Sequence, residues 1–111
     1  MKIELQKFEL PNCGKFIKHE FYSYNPENDF TEEKNLLYLK EDLLQIEFEK
    51  LNVILDLGWY GEIANNNGSF KIFIIENQDW EKPLKIESSK SQKTITEKLI
   101  NILNEMNKAC I

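Results

Sequence analysis

The hydrophobic pattern of the chain alternates, breaks and finally changes period. In residues 2 to 9, "KIELQKFE", Ile3 and Leu5 stand against Lys2 and Glu4 and the phase then slips at Gln6 and Lys7, as in a strand carrying a bulge. "PNCG" marks a turn. Residues 16 to 24 alternate again, with Ile17, His19 and Phe21 on one face and Phe16, Lys18, Glu20, Tyr22 and Tyr24 on the other. The two segments together predict an opening hairpin. Pro26 ends it, because the residue before a proline is held out of the helical region.

Residues 31 to 49, "TEEKNLLYLKEDLLQIEFE", mix two periods. The first half holds helix formers with early acids and apolar positions at 36, 37 and 39, whereas Leu44, Ile46 and Phe48 alternate with Gln45, Glu47 and Glu49. The segment therefore divides into a short helix near 30 to 40 and a strand near 43 to 49, with one helix over 31 to 49 as the rival reading.

"NVILDLGWY" has the β-branched and aromatic density of a strand buried on at least one side. "ANNNGS" follows, and Asn67-Gly68 is a hairpin signal because both residues tolerate positive φ. "FKIFIIEN" returns as the partner strand, "DWEKP" connects, and "LKIES" makes a further short strand. Ile95, Leu99, Ile102, Leu103 and Met106 then fall on one helical stripe, with Thr94 and Glu97 at capping-box spacing to start the helix.

The expected architecture is a single α+β domain over residues 1 to 111, an antiparallel sheet of five to six strands with a C-terminal amphipathic helix packed on one face. Within "LDLGWYG", parity sends Leu55, Leu57 and Trp59 into the core and Asp56 and Tyr60 to the opposite face, while Gly58 and Gly61 let the chain turn away.

Composition adds constraints on function. With 41% apolar and 12% aromatic residues in 111, the chain can bury one core, and no run approaches the roughly 20 apolar residues of a membrane span. Neither a signal peptide nor an anchor is expected. Cys13 and Cys110 lie near opposite ends and read as reduced thiols of a cytoplasmic protein, since secreted domains of this size carry denser cysteine frameworks.

Net charge is −5 and every basic residue is lysine, so the side chain best suited to phosphate and guanine is missing and nucleic-acid binding is not expected. The acid is uneven: residues 26 to 50 hold eight Asp or Glu against three Lys, and residues 82 to 98 hold five Lys against two Glu. A negative face suited to a basic partner follows.

Catalytic and cofactor signatures do not assemble. His19 is the sole histidine, so any Ser-His-Asp or Cys-His mechanism would run through it, and its apolar strand face favours a satisfied structural role. One His with one neighbouring Cys does not supply a zinc ligand set, and neither GxxxxGK nor GxGxxG occurs. The expectation is no enzyme, no cofactor and no metal.

Contact chemistry is better represented. Trp59, Tyr60 and Trp80 stand at strand ends or connections beside Asp56, Glu62, Asp79 and Glu81. Aromatics give large contact area at low entropy cost, and surrounding acids steer a basic partner. Trp59 leans towards the core and Tyr60 and Trp80 towards an interface, each with the other role open.

The segments "EDLLQIEFEKLNVILDLGWYGE" and "NGSFKIFIIENQDWEKPL", followed by the terminal helix, resemble small cytoplasmic immunity proteins of bacterial polymorphic toxin systems of the contact-dependent growth inhibition and Rhs type. The resemblance covers roughly residues 41 to 103, most specifically Gly58-Trp59-Tyr60 and Asp79-Trp80 with Pro83. It implies a protein that binds the toxic C-terminal domain of a cognate toxin, commonly a nuclease with a basic cleft, and blocks it. The expected contact residues are Asp42, Glu47, Glu49, Asp56, Tyr60, Glu62, Asp79, Trp80 and Glu81. A structural or adaptor subunit of a larger bacterial or phage assembly is the alternative, a hydrolase using His19 comes third, and oligomeric state is left open.

Overall fold

A computed structural model describes residues 3–26, 32–61 and 68–109. The elements run β1 (Gly14–His19), α1 (Glu32–Tyr38), β2 (Leu44–Phe48), a 3-10 turn (Glu49–Leu51), β3 (Val53–Tyr60), β4 (Ser69–Glu76), β5 (Lys85–Ser89) and α2 (Gln92–Ala109). The five strands form one antiparallel sheet in the order β1-β2-β3-β4-β5, so each strand lies beside its neighbour in sequence. This is an α+β fold with α2 on one face, and residues 31 to 49 divide into helix and strand as their two periods indicate.

Parity assigns the core. Leu44, Ile46 and Phe48 of β2, Val53, Leu55, Leu57 and Trp59 of β3, and Phe70, Ile72 and Ile74 of β4 share one side of the sheet. Ile95, Leu99, Ile102 and Leu103 of α2 close over them, with Met106 partly buried against the same cluster. Trp59 is 2% exposed and meets Phe70 edge-on at 4.9 Å; Phe70 in turn meets Phe21 at 5.9 Å, and Phe21 stacks on Phe8. Each such pair adds about 0.5–1.5 kcal/mol to the burial of its rings. The aromatic series ties the N-terminal segment to the middle of the sheet.

Three sequence expectations change here. The first is the opening hairpin: residues 3 to 9 form no strand, only a single bridge between Leu5 and Tyr22 backed by Gln6 N–H to Phe21 O and Ser23 N–H to Glu4 O. The irregularity lies instead in β1, where Phe16 pairs Ile46 and Lys18 pairs Gln45, leaving Ile17 unpaired and 51% exposed. That extra residue reverses the alternation, so Phe16 and His19 stack on each other at 5.0 Å while Ile17 is excluded from the core.

The second concerns the start of α2. Ser91 caps the helix, not Thr94: its Oγ accepts the Thr94 N–H at 3.2 Å and its carbonyl accepts the Ile95 N–H at 3.0 Å. Such a cap contributes about 1 kcal/mol. The third is Cys13, which is disulfide-bonded and not a reduced thiol. Cys110, the other cysteine, lies outside the described residues, as does Asn67 of the expected Asn-Gly turn.

The glycine within "LDLGWYG" has a steric cause. Leu43 N–H donates to Leu57 O at 3.0 Å and Trp59 N–H donates to Lys40 O at 2.7 Å, so Glu41 and Asp42 together face Gly58 in a bulge-like step. A Cβ at position 58 would stand 1.8 Å from the Glu41 carbonyl oxygen. No side-chain rotation relieves a backbone contact. Gly58→Ala is therefore expected to lower the unfolding free energy by about 3 kcal/mol or more, measured by urea denaturation at neutral pH; an unchanged midpoint would refute the close approach.

Candidate functional site

The side of the sheet opposite α2 carries a mixed surface. Register places Lys18, Gln45, Asp56, Phe73 and Ile86 in one row across β1 to β5, and Lys15, Glu47, Ile54 and Ile75 in the next. Ile75 is buried, Ile54 and Phe73 are half-buried, and Ile86 is exposed. An antiparallel sheet tolerates such a face because alternation separates it from the core.

Asp56 is the anomaly in this face, a carboxylate only 5% exposed at the centre of the sheet. Among the described residues, its buried Oδ1 has no hydrogen-bond partner. The Tyr60 hydroxyl lies 3.5 Å from Oδ2, at the outer limit of a hydrogen bond. Tyr60 and Asp56 flank Gly58 on the same face of β3, with the Glu41 backbone lying against the glycine. The ring also meets Phe73 edge-on at 5.5 Å.

The electrostatics follow from this packing. Burial, then the negative charge of Asp42, raises the Asp56 carboxyl from 3.8 to about 6, with the Tyr60 hydrogen bond pulling the other way. Burial, then Asp56, Glu41 and Asp42, pushes the Tyr60 phenol up to about 12. Three acids thus bear on one buried site. Lys18 stands beside it but pairs with Glu20 at 3.6 Å.

Asp42 and Asp56 also line a common cavity of about 340 Å³ with Ile17, Lys18, Leu44 and Gln45. Its floor is sheet and its rim is the bulged Ile17 and the segment ahead of β2. Among the described residues, no group of three or more His, Cys, Asp or Glu is arranged to hold a metal ion. The cavity offers two carboxylates, an amide and apolar walls, which suit a cationic group with an apolar stem.

The residues expected to make one contact surface divide between the two ends of the sheet. Asp42, Asp56 and Tyr60 come together where β2 begins and β3 ends, and Glu47 lies further along the same face, opposite Lys15 and Ile54. Glu49, in the 3-10 turn, and Asp79, Trp80 and Glu81, in the connection after β4, are exposed at the other end. There Asn77 N–H donates to Asn52 O at 3.0 Å and ties the two connections. Along β3, Tyr60 stands seven residues, roughly 23 Å, from the Val53 end where the second group lies, and Asp56 three residues, roughly 10 Å. Glu62 lies outside the described residues.

Sequence reasoning passed over Glu41, Gln45, Ile17 and Lys18. The signal for Glu41 was Gly58, a residue without a side chain between two others on the same strand face. His19 is held locally: Nε2 donates to the Gln6 carbonyl, Nδ1 accepts the Phe21 N–H at 3.4 Å, and the ring stacks on Phe16.

Because the folded carboxyl of Asp56 titrates above its ordinary value, the folded state binds the extra proton between about pH 4 and pH 6. Its favourable contribution is complete below pH 4 and is lost as pH rises through 6. Asp56→Asn should remove this dependence, so the variant gains stability relative to the native chain as pH climbs from 4 to 7. Denaturation of both proteins across that range measures the difference, and a pH-independent offset would contradict the assignment. Comparison with known protein families, curated proteins and solved structures finds no match to this chain.

Proposed function

We propose that this protein is an immunity protein that binds and neutralises the toxic domain of a cognate toxin, with a nuclease as the toxin class. The observation that carries the reading is the acid group Glu41, Asp42 and Asp56 around the Tyr60 hydroxyl, beside a partly apolar sheet face in a chain without arginine. A nuclease cleft is basic, and an acidic, aromatic-bearing surface is complementary to it in charge and contact chemistry. The resemblance of residues 41 to 103 points to the same class. The reading is binding without catalysis, and a stable complex would bury roughly 1,200–2,000 Å² in total.

A nuclease meets its substrate in the cytoplasm, which is where this reading puts the encounter. Among the described residues, no helix is long and apolar enough to cross a membrane. The disulfide at Cys13 pulls against the cytoplasm, because oxidising compartments favour such bonds. A second reading, an adaptor subunit of an assembly, draws on exposed Trp80, Leu84 and Ile86 near edge strand β5. Such a subunit would co-purify with an assembly partner and protect against no toxin.

Growth rescue decides between the two. Co-expression with the toxin-like domain encoded beside it should restore growth, Asp42→Lys should reduce that protection, and Glu105→Lys on α2, across the sheet, should leave it intact. Absence of rescue by the native chain would refute the immunity reading.

A further inference from the structure

Asp56 combines near-complete burial, an oxygen without a partner and a position in the wall of a cavity. Isolated buried carboxylates are costly, and a side chain left in this state gains more from an incoming cation than an exposed acid does. Asp42 supplies a second carboxylate to the same cavity, while Gln45 adds an amide at the neighbouring register position. Ile17, displaced outward by the bulge in β1, and Leu44 provide apolar walls.

We infer that this cavity is a receptor for one arginine side chain of a protein partner, the guanidinium lying between Asp56 and Asp42 and its stem against Ile17 and Leu44. The inference rests on the immunity reading only for the source of that arginine. The planar guanidinium presents several N–H donors in a fixed fork, so it engages two acids at once, and it is more weakly hydrated than an ammonium group. A divalent cation fits less well, since two carboxylates are fewer oxygen donors than such ions take from a protein cage. The guanidinium meets the Asp56 carboxylate from the cavity side and offsets the mutual repulsion of the acids.

Charged and titratable groups around Asp56 are Asp42 and Glu41 ahead of β2, Tyr60 on β3 and Lys18 on β1; its register neighbours Gln45 on β2 and Phe73 on β4 are uncharged. Lys18 is a competing internal cation whose ammonium pairs with Glu20. With the Asp56 carboxyl titrating near 6, only about a tenth of it is ionised at pH 5. Arginine binding should therefore weaken about tenfold between pH 7.5 and pH 5.

The test is an NMR titration of the full chain with Nα-acetyl-arginine amide, run beside Nα-acetyl-lysine amide and calcium chloride. Saturable amide shifts centred on Gln45, Asp56 and Gly58 are expected with the arginine probe, weaker with the lysine probe and weaker at pH 5. Asp56→Asn, confirmed folded by its own spectrum, should weaken binding at least tenfold, Lys18→Met should strengthen it, and Glu105→Gln on α2 should leave it unchanged. Unsaturable shifts, shifts spread over Glu49 and Asp79, stronger binding of calcium than of arginine, or a full response in Asp56→Asn would each overturn the inference. No toxin enters this experiment. Failed titration with intact growth rescue sinks the arginine receptor alone, whereas successful titration without rescue removes the immunity reading and leaves the receptor standing.

Discussion

The backbone of Glu41 lies against Gly58, and much of the molecule depends on that approach. It lets the segment ahead of β2 pair with β3 on both sides of the glycine, through Leu43 to Leu57 and Lys40 to Trp59. On the core side, the step fixes Trp59 in the aromatic series that joins β3, β4 and the N-terminal segment. On the other side it brings Glu41 and Asp42 to bear on Asp56 and Tyr60. One missing Cβ thereby couples core packing to surface electrostatics.

That coupling accounts for an arrangement unfavourable to stability by itself. A carboxyl placed in the middle of a sheet, with acids as neighbours and one oxygen unsatisfied, opposes folding at neutral pH. The large apolar core beneath it supplies the compensation. Groups held in such states mark binding and catalytic surfaces more often than ordinary scaffold positions. In this protein the surrounding sheet face sets apolar residues, Ile54, Phe73 and Ile86, beside the acids.

The strands β2 to β5 and the stripe of α2 were legible in the sequence because each pairs a sustained period with one buried face. Parity also placed Asp56 and Tyr60 opposite Leu55, Leu57 and Trp59. The N-terminal segment was not legible: one extra residue at Ile17 exchanges the faces of Phe16 and Ile17 relative to the rest of β1, and alternation cannot locate such a residue before the partner strand is known. Ser91 was overlooked as a cap because Thr94 and Glu97 offered the familiar spacing three residues later. The disulfide of Cys13 left no local signal at all.

For the candidate site, sequence named the acids and aromatics but not their grouping. Asp79, Trp80 and Glu81 resemble Asp56, Tyr60 and Glu62 in composition, yet the meander sends the first set to the far end of the sheet. The Asp56 environment is the claim on which the surface account rests. Carbon-detected NMR of the Asp56 side-chain carboxyl across pH 3 to 8 measures it directly. A midpoint near 6 is predicted; a midpoint at the ordinary aspartate value near 4 would contradict the buried, acid-flanked site described above.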